Sequence, residues 1–292
     1  MKKNIYNSLQ GGRARFAILF SVLSLIAITA CDKLIEDGVH KSDLKKDVEL
    51  ITDKGTIIIR LSDETPKHRN NFIKMVNQGY LDSLSFYRVV NHFLIQTGMD
   101  VSDDMSPLID KEISDDLFHK RGAVNAARGD DDLNPEQASA NFHFTIIQGR
   151  IYTDSLLDVS ENRINNWLAY NRVIHKPENK DIFTHLQDIY KKHDSRDSIR
   201  QVKEQLNELA GKELESMDKY RIPDDHREAY KSIGGAAHLD QNYTVFGQVV
   251  KGMSVVDKIA SVETDMTANP LKDIYILSAS MIKRVDYDNS GD

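Results

Sequence analysis

The sequence predicts a mainly β domain, a barrel of short strands capped by two helices, with a long helical insertion inside one loop. Three observations predict it. Strand-like runs recur at residues 48–61, 86–96, 142–148, 244–250 and 274–285. Two short stretches, 66–79 and 253–259, instead carry apolar residues at helical spacing. Residues 149–235 have a helical period throughout, and the strand pattern that halts at Gln148 resumes around Gly234-Gly235 and His238-Leu239-Asp240.

Each element has a local reason. In 48–61, Asp53-Lys54-Gly55 supplies a turn before the β-branched run Ile57, Ile58, Ile59, which predicts a hairpin. Asp63-Glu64-Thr65-Pro66 then offers capping side chains and a proline suited to a first helical turn. Phe72, Met75 and Val76 repeat at helical spacing until Gly79 stops them. That apolar stripe predicts a helix covering one end of the sheet. Met253, Val256 and Ile259 predict a second packing helix. In the insertion, Ile182, Leu186, Ile189 and then Ile199, Val202, Leu206, Leu209 form stripes, and Trp167 is the only tryptophan of the chain.

The most informative segment is FYRVVNHFLIQTGMD, residues 86–100. Arg88, Val90, Leu94 and Gln96 share one parity of a period-two pattern, so an extended chain puts a fixed charge and an amide on a face with aliphatic carbon. Phe93 falls on the other parity, and the Asn91-His92 break can re-aim it. Such a face suits a neutral peptide.

Composition bounds the rest. A chain of 292 residues, 40% hydrophobic and 28% charged, can bury a real core, which excludes the disordered class. Lys2, Lys3, Arg13 and Arg15 are the only charges before Cys31; without them a net charge of -7 becomes -11, so nucleic acid is not an expected partner. The basic start and the apolar run 16–30 read as a signal peptide over residues 1–30, too short for a membrane span. Ile28-Thr29-Ala30-Cys31 resembles a bacterial lipoprotein box, which implies cleavage before Cys31 and a lipid on that cysteine. Residues 31–46 then read as anchor and tether, 47–286 as the domain with its insertion at 150–235, and 287–292 as a disordered tail. One thiol permits no internal disulfide. The histidines show no zinc spacing, and the calcium-like alternation from Asp130 to Glu136 fails at Pro135 and Asn141, so no metal is expected.

Residues 86–100 resemble the cyclophilin peptidyl-prolyl isomerase signature. The resemblance runs on through VELITDKGTIIIRLSDETPKHRNNFIKMVNQGYLDSLSFYRVV, RGAVNAARG, SANFHFTI, YTVFGQVVKGMSVVDKIA and NPLKDIYILSASMI, most of residues 48–285 apart from the insertion. It implies a closed eight-stranded antiparallel barrel capped by two helices. It also implies isomerisation of X-Pro bonds in proline-containing polypeptides, with Arg88, Phe93 and Gln96 as catalytic residues and no cofactor. The proline pocket implied by resemblance is formed from Phe93, Leu94, Leu239 and Tyr243, with Phe246 nearby and Arg128 meeting the substrate through its backbone. Two positions depart from the family pattern: His143 stands where glutamine is usual and Thr145 where an aromatic is usual. A shallower, more polar floor is therefore expected, with His143 near Arg88. His238, where relatives carry tryptophan or phenylalanine, implies weak cyclosporin binding. Together with the N-terminus, the resemblance implies a lipid-anchored, periplasm-facing folding enzyme of the bacterial cell envelope. The alternative is a catalytically weakened chaperone or scaffold that binds proline-containing segments.

Overall fold

The computed structural model describes residues 34–35, 38–100, 107–193 and 195–287. Cys31 and the signal-peptide assignment 1–30 lie outside the described residues, as does all but Tyr287 of the tail assignment 287–292.

Eight strands form one antiparallel sheet: β1 (Lys46–Thr52), β2 (Gly55–Leu61), β3 (Arg88–Val90), β4 (Leu94–Gly98), β5 (Ala123–Ala126), β6 (His143–Ile147), β7 (Val245–Lys251) and β8 (Ile276–Lys283). Their spatial order is β3-β4-β6-β5-β7-β2-β1-β8. Helices α1 (Pro66–Asn77) and α6 (Met253–Ala260) cap the sheet, and α2 (Asp154–His175), α3 (Lys180–Lys191), α4 (Arg196–Ser216) and α5 (Asp224–Ser232) make up the insertion.

The sheet is strongly curled but open, which corrects the expectation of a closed barrel. Its end strands β3 and β8 share no ladder; one bridge, Ser85 to Tyr275, joins the two edges beyond them. Closure fails because β3 is only three residues long, and the amide of Val89 donates instead to the carbonyl of Ala268 in the loop before β8, at 2.8 Å. A loop therefore occupies the position where the closing strand would pair.

The core fills the curl. Ile57, Ile59, Ile95, Val124 and Ile146 from the strands meet Phe72 of α1 and Val256 of α6, all buried. Phe72 packs edge-on against Phe144 at 5.0 Å and tilted against Phe246 at 5.2 Å. Burying side chains of this size stabilises by about 1.5–3 kcal/mol each.

Two further readings change. Residues 86–96 are not one strand: the chain reverses at His92, which adopts a left-handed φ of 59°, and β3 folds back on β4 with Arg88 opposite Gln96 and Val90 opposite Leu94. The expected tether is docked from Gly38 onward. Val39 is buried in the main core, and buried Asp43 accepts hydrogen bonds from Lys46 and from Asn77 of α1, both at 2.9 Å.

The insertion leaves and re-enters the domain at one point. Arg150 and Gly235 exchange backbone hydrogen bonds at 3.0 Å, and beyond them the chain forms a 3-10 turn, Ala237–Leu239, with no strand until Val245. Leu186, Leu206 and Val173 form the insertion's own core. It is held against the β5–β6 loop by buried Asp132, which accepts from Tyr170 at 2.6 Å, Tyr190 at 3.0 Å and Lys203 at 2.6 Å.

Candidate active site

The β3–β4 hairpin sets the first wall of the site. Cross-strand partners share a face, so the period-two parity that groups Arg88 with Gln96 holds although the chain reverses between them. Arg88 Nη1 donates to Gln96 Oε1 at 3.1 Å, and the guanidinium carbon lies 6.0 Å from the centre of the Phe93 ring. Gln96 Nε2 donates to the Tyr87 hydroxyl at 2.7 Å, which fixes the amide with its oxygen toward Arg88. Burial raises the Tyr87 phenol above its ordinary pKa, so it keeps its proton and can donate to His143 Nδ1, 3.0 Å away.

Arg88, Phe93, Leu94, Gln96, Arg128, Thr145, His238, Leu239 and Tyr243, nine of the ten residues assigned from sequence to catalysis or substrate binding, line one cavity of about 380 Å³. Strand β6 brings Thr145 opposite Gln96, and Thr145 Oγ1 donates to Asn125 Oδ1 of β5 on the floor. Both floor residues are buried. On the far wall Phe93 lies tilted against His238, ring centres 5.2 Å apart, and Arg128 sits 4.8 Å over Tyr243 while donating to the carbonyl of Asn242 at 2.8 Å. Arg128 also pairs with Asp131 at 2.6 Å, so its charge is locally compensated.

Two placements differ from expectation. His143 does not line this cavity: it pairs with Gly98 at the far end of the β4–β6 ladder, its Nε2 is 3.4 Å from Asp100, and it reaches Arg88 only through Tyr87 and Gln96. Phe246 lies in the main core against Phe72.

His238 is neutral at ordinary pH. Burial above all, then the nearby Arg163, lowers its pKa to about 4. Beneath it, buried Asp240 accepts from the ring and backbone of His119 at 2.8 and 2.9 Å and from Tyr230 at 2.7 Å, which ties α5 to the 3-10 turn that carries His238 and Leu239.

Sequence reasoning missed Asn125, Ala127, Asp130, Arg163 and Trp167 as further lining residues, and Tyr87 as the group behind Gln96. Arg163 and Trp167 come from α2, with the guanidinium 4.7 Å over the indole. Trp167 is distinctive in the sequence, but nothing local places a residue of the insertion over a cavity built by β3–β6.

Residues 47–204 and 216–281 match the family model described as "Cyclophilin type peptidyl-prolyl cis-trans isomerase/CLD". The chain belongs to the cyclophilin-type peptidyl-prolyl cis-trans isomerase family. Among its relatives, a Staphylococcus epidermidis protein named as a peptidyl-prolyl cis-trans isomerase is 26% identical over 238 residues, 79% of this chain and 89% of the relative. A protein of the same name from Staphylococcus saprophyticus is 24% identical over 239 residues, 80% of this chain and 89% of its own. A bifunctional phosphatase/peptidyl-prolyl isomerase of Streptococcus pyogenes is 27% identical over 227 residues; the match covers 75% of this chain but 35% of that longer protein. A solved Cryptosporidium parvum cyclophilin-type isomerase superposes with a TM-score of 0.48 at 14% identity, covering 82% of this chain and 99% of that one.

Proposed function

We propose that this chain catalyses cis–trans isomerisation of X-Pro bonds, with Arg88 as the electrostatic catalyst. Rotation about an X-Pro bond faces a barrier of about 18–20 kcal/mol, the cost of lost amide resonance. At mid-rotation the prolyl nitrogen regains a lone pair, and a hydrogen bond donated to it exists only near the transition state, which is the condition for catalysis. Arg88 donates without ever losing its proton. One preorganised donor in a partly dry site is worth about 2.7–4 kcal/mol, or two to three decades of rate. Apolar carbon of Phe93, Leu94 and Leu239 supplies a seat for the proline ring, and Gln96 holds the substrate backbone. The observation that carries this reading is that Arg88, Gln96 and Phe93 line one cavity with the Arg88–Gln96 bond already formed. A proline-isomerisation assay tests it: relaxation of an X-Pro peptide accelerated in proportion to added protein supports the reading, and relaxation at the uncatalysed rate leaves a proline-peptide-binding module.

The clients in this reading are exported proteins, and the enzyme is held at the bacterial cell envelope, facing the periplasm, by a lipid on Cys31. Support comes from the basic start, the apolar run 16–30 and the Ile28-Thr29-Ala30-Cys31 box. Among the described residues no helix is long and apolar enough to cross a membrane. Incorporation of labelled palmitate that is lost in Cys31→Ser tests the anchor. Cyclosporin binds weakly in this reading, because His238 offers a smaller ring to its apolar face than an indole does.

A further inference from the structure

A second cavity of about 360 Å³ adjoins the first. Its lining includes Tyr170, Lys203 and Asn207 of the insertion, and the two cavities share Arg128, Asp130, Tyr243 and Trp167. They are therefore two compartments of one groove between the barrel and the insertion, with the indole standing where they meet.

The charges around the second compartment are largely spent on each other: Arg128 pairs with Asp131 and Lys203 with Asp132, both at 2.6 Å. The shared rim then presents the Trp167 indole and the Tyr243 ring, each with one face under a guanidinium, Arg163 at 4.7 Å and Arg128 at 4.8 Å, beside the Asp130 carboxylate. A peptide with proline in the first compartment that runs toward the second brings an adjoining residue to that rim, because the backbone advances only about 3.3–3.6 Å per residue. Large side chains gain contact area there and glycine gains none.

We propose, resting on the isomerase reading above, that Trp167 is a specificity-determining residue: the insertion gives the enzyme a wall that selects substrates with a large, above all aromatic, side chain next to proline. The insertion is then part of the substrate groove, and Asp132 is the clamp that holds it in place.

The test uses two peptide series, with Gly, Ala, Leu or Phe immediately before proline and the same four immediately after it. Wild type should favour Phe over Gly in one series by about tenfold in kcat/KM, the equivalent of 1.4 kcal/mol. In Trp167→Ala that ratio should collapse toward one, and in Trp167→Phe most of it should return. Because Trp167 is the only tryptophan, its emission reports the wall directly: saturating Phe peptide should shift it to the blue, and Gly peptide should shift it less. A Phe preference that survives Trp167→Ala, or emission indifferent to every peptide, overturns the proposal. Absence of any catalysed rate would overturn the isomerase reading instead, and the emission titration would still decide whether peptides meet the indole.

Discussion

Arg88 and Gln96 are direct partners across the β3–β4 hairpin, and the bond between them, 3.1 Å from Nη1 to Oε1, is the end of a chain that starts at His143. Each member has one free role left by its neighbour. Tyr87 receives from the Gln96 amide at 2.7 Å, so the amide oxygen is left to face the guanidinium. The pair is thus aligned before substrate arrives, at no cost during the reaction.

Tyr87→Phe removes the hydroxyl while keeping the ring. Gln96 is then free to flip, and Arg88 loses its fixed partner in a fraction of molecules. The expected result is a fall in kcat/KM of about threefold to tenfold, the worth of one net hydrogen bond, with a thermal midpoint close to wild type. Steady-state rates on one X-Pro peptide check it; an unchanged rate would remove Tyr87 from the catalytic apparatus.

His238 makes the fold sensitive to acid. Its folded pKa of about 4 lies below the ordinary 6.5, so between these values the unfolded chain binds more protons than the folded one. Stability from this group is complete above pH 6.5 and is lost as pH falls toward 4, amounting to about 2 kcal/mol by pH 5. His238→Phe keeps a ring beside Phe93 and cannot titrate. Urea unfolding at pH 7 and pH 5 should show a smaller acid loss in the variant; equal losses in both proteins would contradict the assignment.

Gly235 is where the insertion is stitched to the domain. A Cβ there would sit 2.4 Å from the carbonyl oxygen of His119 and 2.5 Å from Cε1 of Tyr230. Backbone and a fully buried ring leave no room to yield. Gly235→Ala should therefore cost about 2–4 kcal/mol, at or beyond the upper end for overpacking, read as a lower urea midpoint. Because the same residue holds Arg150, it should also displace Trp167 and change its emission before unfolding begins.

Much of this was legible in the sequence, for reasons that differ from element to element. Turn residues and apolar periodicity marked β1, β2, α1 and α6, because Asp53-Lys54-Gly55, Pro66 and Gly79 act within a few residues of where they stand. Parity grouped Arg88 with Gln96 correctly although the chain reverses between them, since pairing across a hairpin preserves which side of the sheet a residue faces. The Asn91-His92 break was legible as an interruption, but the full reversal of the chain there was not, because it is fixed by the pairing of β3 with β4 rather than by the two residues themselves. Openness of the sheet follows from the shortness of β3 and the long-range bond from Val89 to Ala268, neither of which a local pattern encodes. His143 went astray for a related reason: it has the parity of Thr145, but lies two residues nearer the end of the β4–β6 ladder, opposite Gly98 rather than Gln96. Trp167 was visible as a singular residue, but its place over the cavity depends on how the whole insertion folds back.

The most direct test of the account is the catalysed rate of X-Pro isomerisation in Arg88→Ala and Arg88→Lys beside wild type. If the guanidinium stabilises the rotating bond, Arg88→Ala loses about two to three decades of kcat/KM. Arg88→Lys recovers little of it, because a compact ammonium cannot serve Gln96 and the prolyl nitrogen in the same geometry. Equal rates in wild type and Arg88→Ala, with peptide binding intact, would contradict the account.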